Sequence, residues 1–80
     1  MSKAVFKLLN KIFELCVQGT EKSSCKYEFN FEYSAGNEYY LVFAYNKFTG
    51  EQKSIAVAEN ASIENLKRTK RIIIEMMEEK

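Results

Sequence analysis

The sequence has no histidine, aspartate, tryptophan or proline, and only three glycines and two cysteines in 80 residues. Each shortage removes a class of chemistry. Without histidine there is no ordinary general base near neutral pH and no imidazole to ligate a metal. Two cysteines do not make a zinc site, and Cys16 and Cys25 lack the spacing of a CxxC pair. A cysteine nucleophile would have no base beside it to hold a thiolate. The three glycines stand apart, so no Walker or GxGxxG phosphate loop is present. The eleven acidic residues are all glutamates, scattered along the chain. The expectation is a protein that is not an enzyme and takes no cofactor and no metal.

Charge of one sign is also missing. Twelve basic against eleven acidic residues leave +1, too weak a field for a general polyanion binder or a DNA mimic. No apolar run approaches the ~18 residues of a membrane span, and no secretory leader pattern is visible. A cytoplasmic protein with two free, buried thiols is therefore expected rather than one Cys16–Cys25 bridge.

What remains is the composition of a folded domain, 46% hydrophobic and 29% charged. A chain this short buries only ~60% of the surface it exposes unfolded, so its stability margin is thin. Ser2 is a helix N-cap candidate, and Ala4 to Val17 has helical periodicity with an apolar arc wider than one sheet requires. Gly19 is expected to stop that helix. Cys25 to Ser34 alternates, with Cys25, Tyr27, Phe29, Phe31 and Tyr33 on one face. Tyr39 to Tyr45 is a strand apolar on both faces, and Gln52 to Ala58 is a third. Asn60 or Ser62 caps a last helix from Ile63 to about Glu79. The predicted fold is a single α+β domain in the order α-β-β-β-α, a three-stranded antiparallel meander packed against two helices.

Turn chemistry selects the core face of the middle strand. Gly36-Asn37 suits a two-residue type II′ hairpin turn, which sets Tyr33 opposite Tyr40, Phe31 opposite Val42 and Phe29 opposite Ala44. A four-residue loop closed by Gly50 pairs Asn46 with Glu51, hence Val42 with Ile55 and Tyr40 with Val57. The predicted core face then includes Ile55 and Val57. The other row, Tyr39, Leu41, Phe43 and Tyr45, faces away, flanked by Glu28, Asn30, Glu32, Gln52 and Ser54. An aromatic stripe with a polar rim has the anatomy of a protein-binding surface. A one-residue slip, a bulge or a covering helix would hide it.

Two further features stand out. Lys67, Arg68, Lys70 and Arg71 form a basic cluster, read either as a site for nucleic acid or an acidic partner or as a solvated helix face paired through Glu64–Arg68 and Arg71–Glu75. Ile72, Ile73, Ile74, Met76 and Met77 make the end of that helix apolar nearly all round. A sheet-facing stripe of Ile63, Leu66, Ile73 and a methionine leaves surplus for a second packing surface, such as a homodimer.

The element order resembles the double-stranded RNA-binding domain. That resemblance implies RNA contacts from the first helix, the first hairpin turn and the start of the last helix. The family's Gly-Pro-x-His turn is here Ser34-Ala35-Gly36-Asn37, and its Lys-Lys-x-Ala-Lys helix start is Ser62-Ile63-Glu64-Asn65-Leu66. In size, strand aromatics and lack of catalytic groups the chain is also similar to small phage-encoded inhibitors such as anti-CRISPR proteins. The expected function is a small non-catalytic interaction module, an adaptor or inhibitor. It would bind another protein or itself through an apolar sheet face or dimer interface. Nucleic-acid binding through residues 67–71 is the alternative.

Overall fold

Ser2 opens the first helix as expected, its hydroxyl oxygen accepting from the Val5 amide at 3.1 Å. In the computed structural model, which describes residues 1–79, this helix, α1, runs Lys3–Glu21. It therefore passes through Gly19 instead of stopping there. Gly19 is buried, and a Cβ on it would lie 2.6 Å from the Phe29 ring, so the missing side chain serves a close packing contact and not a cap. The helix ends at Lys22, whose extended backbone donates back to the Gln18 carbonyl.

Three strands follow, β1 (Tyr27–Ser34), β2 (Tyr39–Asn46) and β3 (Gln52–Asn60), and then helix α2 (Ile63–Met77). The sheet order is β1-β2-β3, antiparallel throughout. The predicted α-β-β-β-α meander with two helices is the observed architecture. Ser62 rather than Asn60 caps α2, accepting from the Asn65 amide at 3.2 Å. The Asn60 carbonyl instead accepts from the Asn65 side chain.

The β1–β2 register matches expectation, with Phe29 opposite Ala44, Phe31 opposite Val42 and Tyr33 opposite Tyr40. The turn itself differs. Ser34 pairs directly with Tyr39, and the positive φ falls on Glu38 (53°), not on Gly36. A four-residue loop replaces a two-residue one. Because this opens a single pair at the end of the ladder, the pairing below is unchanged. The β2–β3 turn forms as read: Gly50 has φ 75°, and the Asn46 amide donates to the Glu51 carbonyl. The Asn46 side-chain oxygen also accepts from the amides of Phe48 and Thr49.

Beyond Ser54 the expectation for β3 fails. Val42 pairs with Ala56, not Ile55, and Tyr40 pairs with Glu59, not Val57. Two register shifts on β3 account for the slip, and Ala58 in the second has φ 49°. Ala56 enters the core, Ile55 packs at its margin, and Val57 turns out to 59% exposure.

One core results. Leu9, Ile12, Leu15 and Cys16 of α1, with Leu66 and Ile73 of α2, cover the sheet face made by Tyr27, Phe29, Tyr40, Val42, Ala44 and Ala56. Both helices lie on this face. α2 leans mainly on α1 and touches the sheet along β3. Its surplus apolar surface is thus largely covered within the chain: Ile74, Met76 and Met77 pack at the core margin, while Ile63, expected to face the sheet, is exposed. Cys16 and Cys25 are free and buried, and burial pushes the Cys16 thiol up to about 12.

Candidate protein-binding face

Alternation along β2 puts Tyr40, Val42 and Ala44 under the helices and Tyr39, Leu41, Phe43 and Tyr45 on the opposite side. No helix reaches that side. All four residues are half-buried, because each is flanked by the neighbouring strands yet lacks cover from above. The β1–β2 ladder sets Glu28 beside Tyr45, Asn30 beside Phe43 and Glu32 beside Leu41. On the β3 side Gln52 lies beside Tyr45 and Ser54 beside Phe43. Two shallow depressions meet at Leu41 and Glu32: one continues to Asn30 and Phe43, the other to Ser34 and Tyr39. The stripe predicted from turn chemistry is uncovered, with its polar rim in place. Sequence reasoning missed Val57, which the bulge adds to the exposed apolar surface of β3.

The basic cluster is divided. Arg68 pairs with Glu59 of β3 at 3.1 Å, not with the expected Glu64. Lys67, Lys70 and Arg71 remain together and line a groove with Leu8, Ile74 and Glu75. A patch of three cations with a carboxylate on its rim has a weak field for phosphate.

A second polar group, absent from the sequence reading, ties the start of β1 and the start of β3 to the residues after α2. The Tyr27 hydroxyl donates to the Glu79 carboxylate at 3.1 Å and accepts from Lys53 Nζ at 3.1 Å. Lys26 pairs with the same carboxylate at 3.1 Å. The Lys26 contact, followed by the Tyr27 hydrogen bond, lowers the Glu79 carboxyl below its usual range. The bond to Tyr27 raises the Lys53 ammonium. Tyr27 and Glu79 are 52 residues apart, and no local pattern signals such a contact.

Among the described residues no three acidic or cysteine side chains converge as metal ligands. Among the described residues no helix is long and apolar enough to cross a membrane. Comparison of the chain with protein-family models, curated proteins and solved structures finds no match. The likeness to the double-stranded RNA-binding domain therefore rests on element order alone.

Proposed function

We propose that this chain is a non-catalytic interaction module, an adaptor or inhibitor, that binds another protein on the open face of its sheet. The observation that carries this reading is the uncovered row Tyr39, Leu41, Phe43 and Tyr45. A monomeric domain gains by hiding such a row, and here both helices sit on the other side. The rigid sheet holds the aromatic rings at fixed spacing, so little side-chain entropy is lost on binding. The rim of Glu28, Asn30, Glu32, Gln52 and Ser54 supplies hydrogen-bonding groups around an apolar centre.

The test is affinity capture from the native host followed by mass spectrometry, comparing wild type with the double variant Leu41→Glu/Phe43→Glu. A partner held by wild type and lost by at least tenfold in the variant supports the reading. Capture that the double variant leaves unchanged overturns it. A second reading, nucleic-acid binding, is favoured only by the grouping of Lys67, Lys70 and Arg71. It requires salt-sensitive binding of duplex RNA or DNA that falls on Lys/Arg→Ala changes at those positions.

A further inference from the structure

α1 carries a second apolar stripe. Phe6 and Phe13 are each 58% exposed and Val17 is 40% exposed. At ~100° per residue these three fall within ~40° of one another, on the side of the core stripe nearest β1. Phe13 and Val17 overhang a groove whose floor includes Thr20, Phe29 and Phe31. Asn10 lies close to the same line, between Phe6 and Phe13.

The strand beneath that overhang has a free edge. Thr20 caps it at Phe29, its hydroxyl accepting from the Phe29 amide at 2.9 Å and donating to the carbonyl at 3.5 Å. Odd-numbered residues of β1 therefore direct their backbone groups away from β2. At Tyr27 the carbonyl receives the Cys25 thiol. At Phe31 and Tyr33 nothing among the described residues meets the outward N–H and C=O.

Charge identifies the occupant. Lys3 and Lys7 border the stripe along the first half of α1, and Glu14 and Glu21 border the same side along the second half. A second α1 running antiparallel sets Lys7 of each copy beside Glu14 of the other and Lys3 toward Glu21. A parallel copy sets like against like. The contacts Glu14 makes in its own helix, to Lys11 at 3.8 Å and to Gln18 at 3.1 Å, are exposed and weak enough to be exchanged.

The strand agrees with the helix. Thr20 is bonded to Phe29, and Phe13, earlier in α1, lines the same groove as Phe31, later in β1, so α1 and β1 run in opposite directions. Asn10 lies about 15 Å before Thr20 along the helix, which corresponds to roughly four and a half strand residues beyond Phe29. A twofold axis at Asn10 thus meets β1 near Tyr33. Pairing about Tyr33 joins the free N–H and C=O of Tyr33 in the two copies, sets Glu32 beside Ser34 and not beside its own copy, and leaves the capped Phe29 outside the contact. We infer that two copies associate about a twofold axis at Asn10, interleaving Phe6, Phe13 and Val17 antiparallel and meeting edge to edge at Tyr33 of β1. The open aromatic face takes no part in this contact and is displayed twice.

The experiment is sedimentation velocity on the full chain, with circular dichroism confirming the fold of each variant. Wild type sediments as a dimer, twice its 9.3 kDa mass. Phe13→Glu weakens association by at least tenfold. Lys7→Glu weakens it by several-fold, and Lys7→Glu/Glu14→Lys restores it, since only self-association makes both partners of that pair change together. Asn10→Cys gives a disulfide-linked dimer on mild oxidation, the native thiols being buried. A monomer at all concentrations up to about 1 mM overturns the inference. So does a dimer indifferent to Phe13→Glu, or a charge reversal that fails to rescue.

Discussion

At the scale of single residues, the two tyrosines that face each other across β1 and β2 behave oppositely. Tyr40 is fully buried, and its hydroxyl lies 2.7 Å from the hydroxyl of Thr69, itself buried in α2. Burial raises the Tyr40 hydroxyl above its usual range, so the pair stays neutral. The Tyr33 hydroxyl is also buried but has no hydrogen-bond partner among the described residues. An intact buried hydrogen bond contributes about 1 kcal/mol, whereas an orphaned buried group costs about 1–3 kcal/mol. Tyr40→Phe strands the Thr69 hydroxyl and should lower stability by about 1–3 kcal/mol. Adding Thr69→Val should return most of that loss, because both polar groups are then gone. Tyr33→Phe should be neutral or stabilising. Urea unfolding of wild type, these three variants and Thr69→Val alone checks this; additive effects in the Tyr40/Thr69 pair would mean that the two hydroxyls do not share a bond.

Among the elements, packing overrules propensity at Gly19. Glycine costs a helix interior about 1 kcal/mol relative to alanine, so Gly19→Ala on an isolated α1 would be favourable. In the folded chain the new Cβ would meet two Phe29 ring atoms, at 2.6 and 2.9 Å, with Met77 at 3.2 Å. Phe29 is a buried ring of the core and must shift to admit the new carbon, and overpacking of this kind costs about 1–3 kcal/mol. Gly19→Ala should therefore destabilise, and a rise in thermal midpoint would refute the contact. The same contrast explains what could be read in advance. The first hairpin was legible because the hydrophobic rows and the turn length agree on parity, even though Gly36 does not supply the positive φ. The stripe on β2 was legible for the same reason. The β3 bulges were not, since Ile55 and Val57 alternate as though the ladder were regular and Ala58 carries no signal for φ 49°. Coverage of α2 by α1 and the splitting of the basic cluster by Glu59 depend on how distant elements dock, which no periodicity encodes.

On the scale of the whole molecule, two layers built from 80 residues leave isolated apolar side chains such as Phe48 and Ile63 exposed, and two extended apolar surfaces, the open sheet face and the α1 stripe. They differ in what lies beside them. The sheet face has only side chains to offer, so a partner must bring its own complementary surface. The α1 stripe lies beside unpaired backbone and an antisymmetric charge pattern, features that a second copy complements without any other molecule. Association through α1 would couple stability to concentration, because mass action favours the folded dimer over two unfolded chains. For a domain of this size each kcal/mol shifts the midpoint by about 4–8 °C. A tenfold rise in concentration adds about 0.7 kcal/mol per chain, so wild type should melt about 3–6 °C higher for each tenfold step. Phe13→Glu should remove that dependence, and Leu41→Glu/Phe43→Glu should retain it, since the open face lies outside the contact. Scanning calorimetry across two decades of concentration separates the surfaces. A wild-type midpoint that stays constant across that range would rule out the dimer, and loss of the dependence in the sheet-face variant would move the contact from α1 to β2.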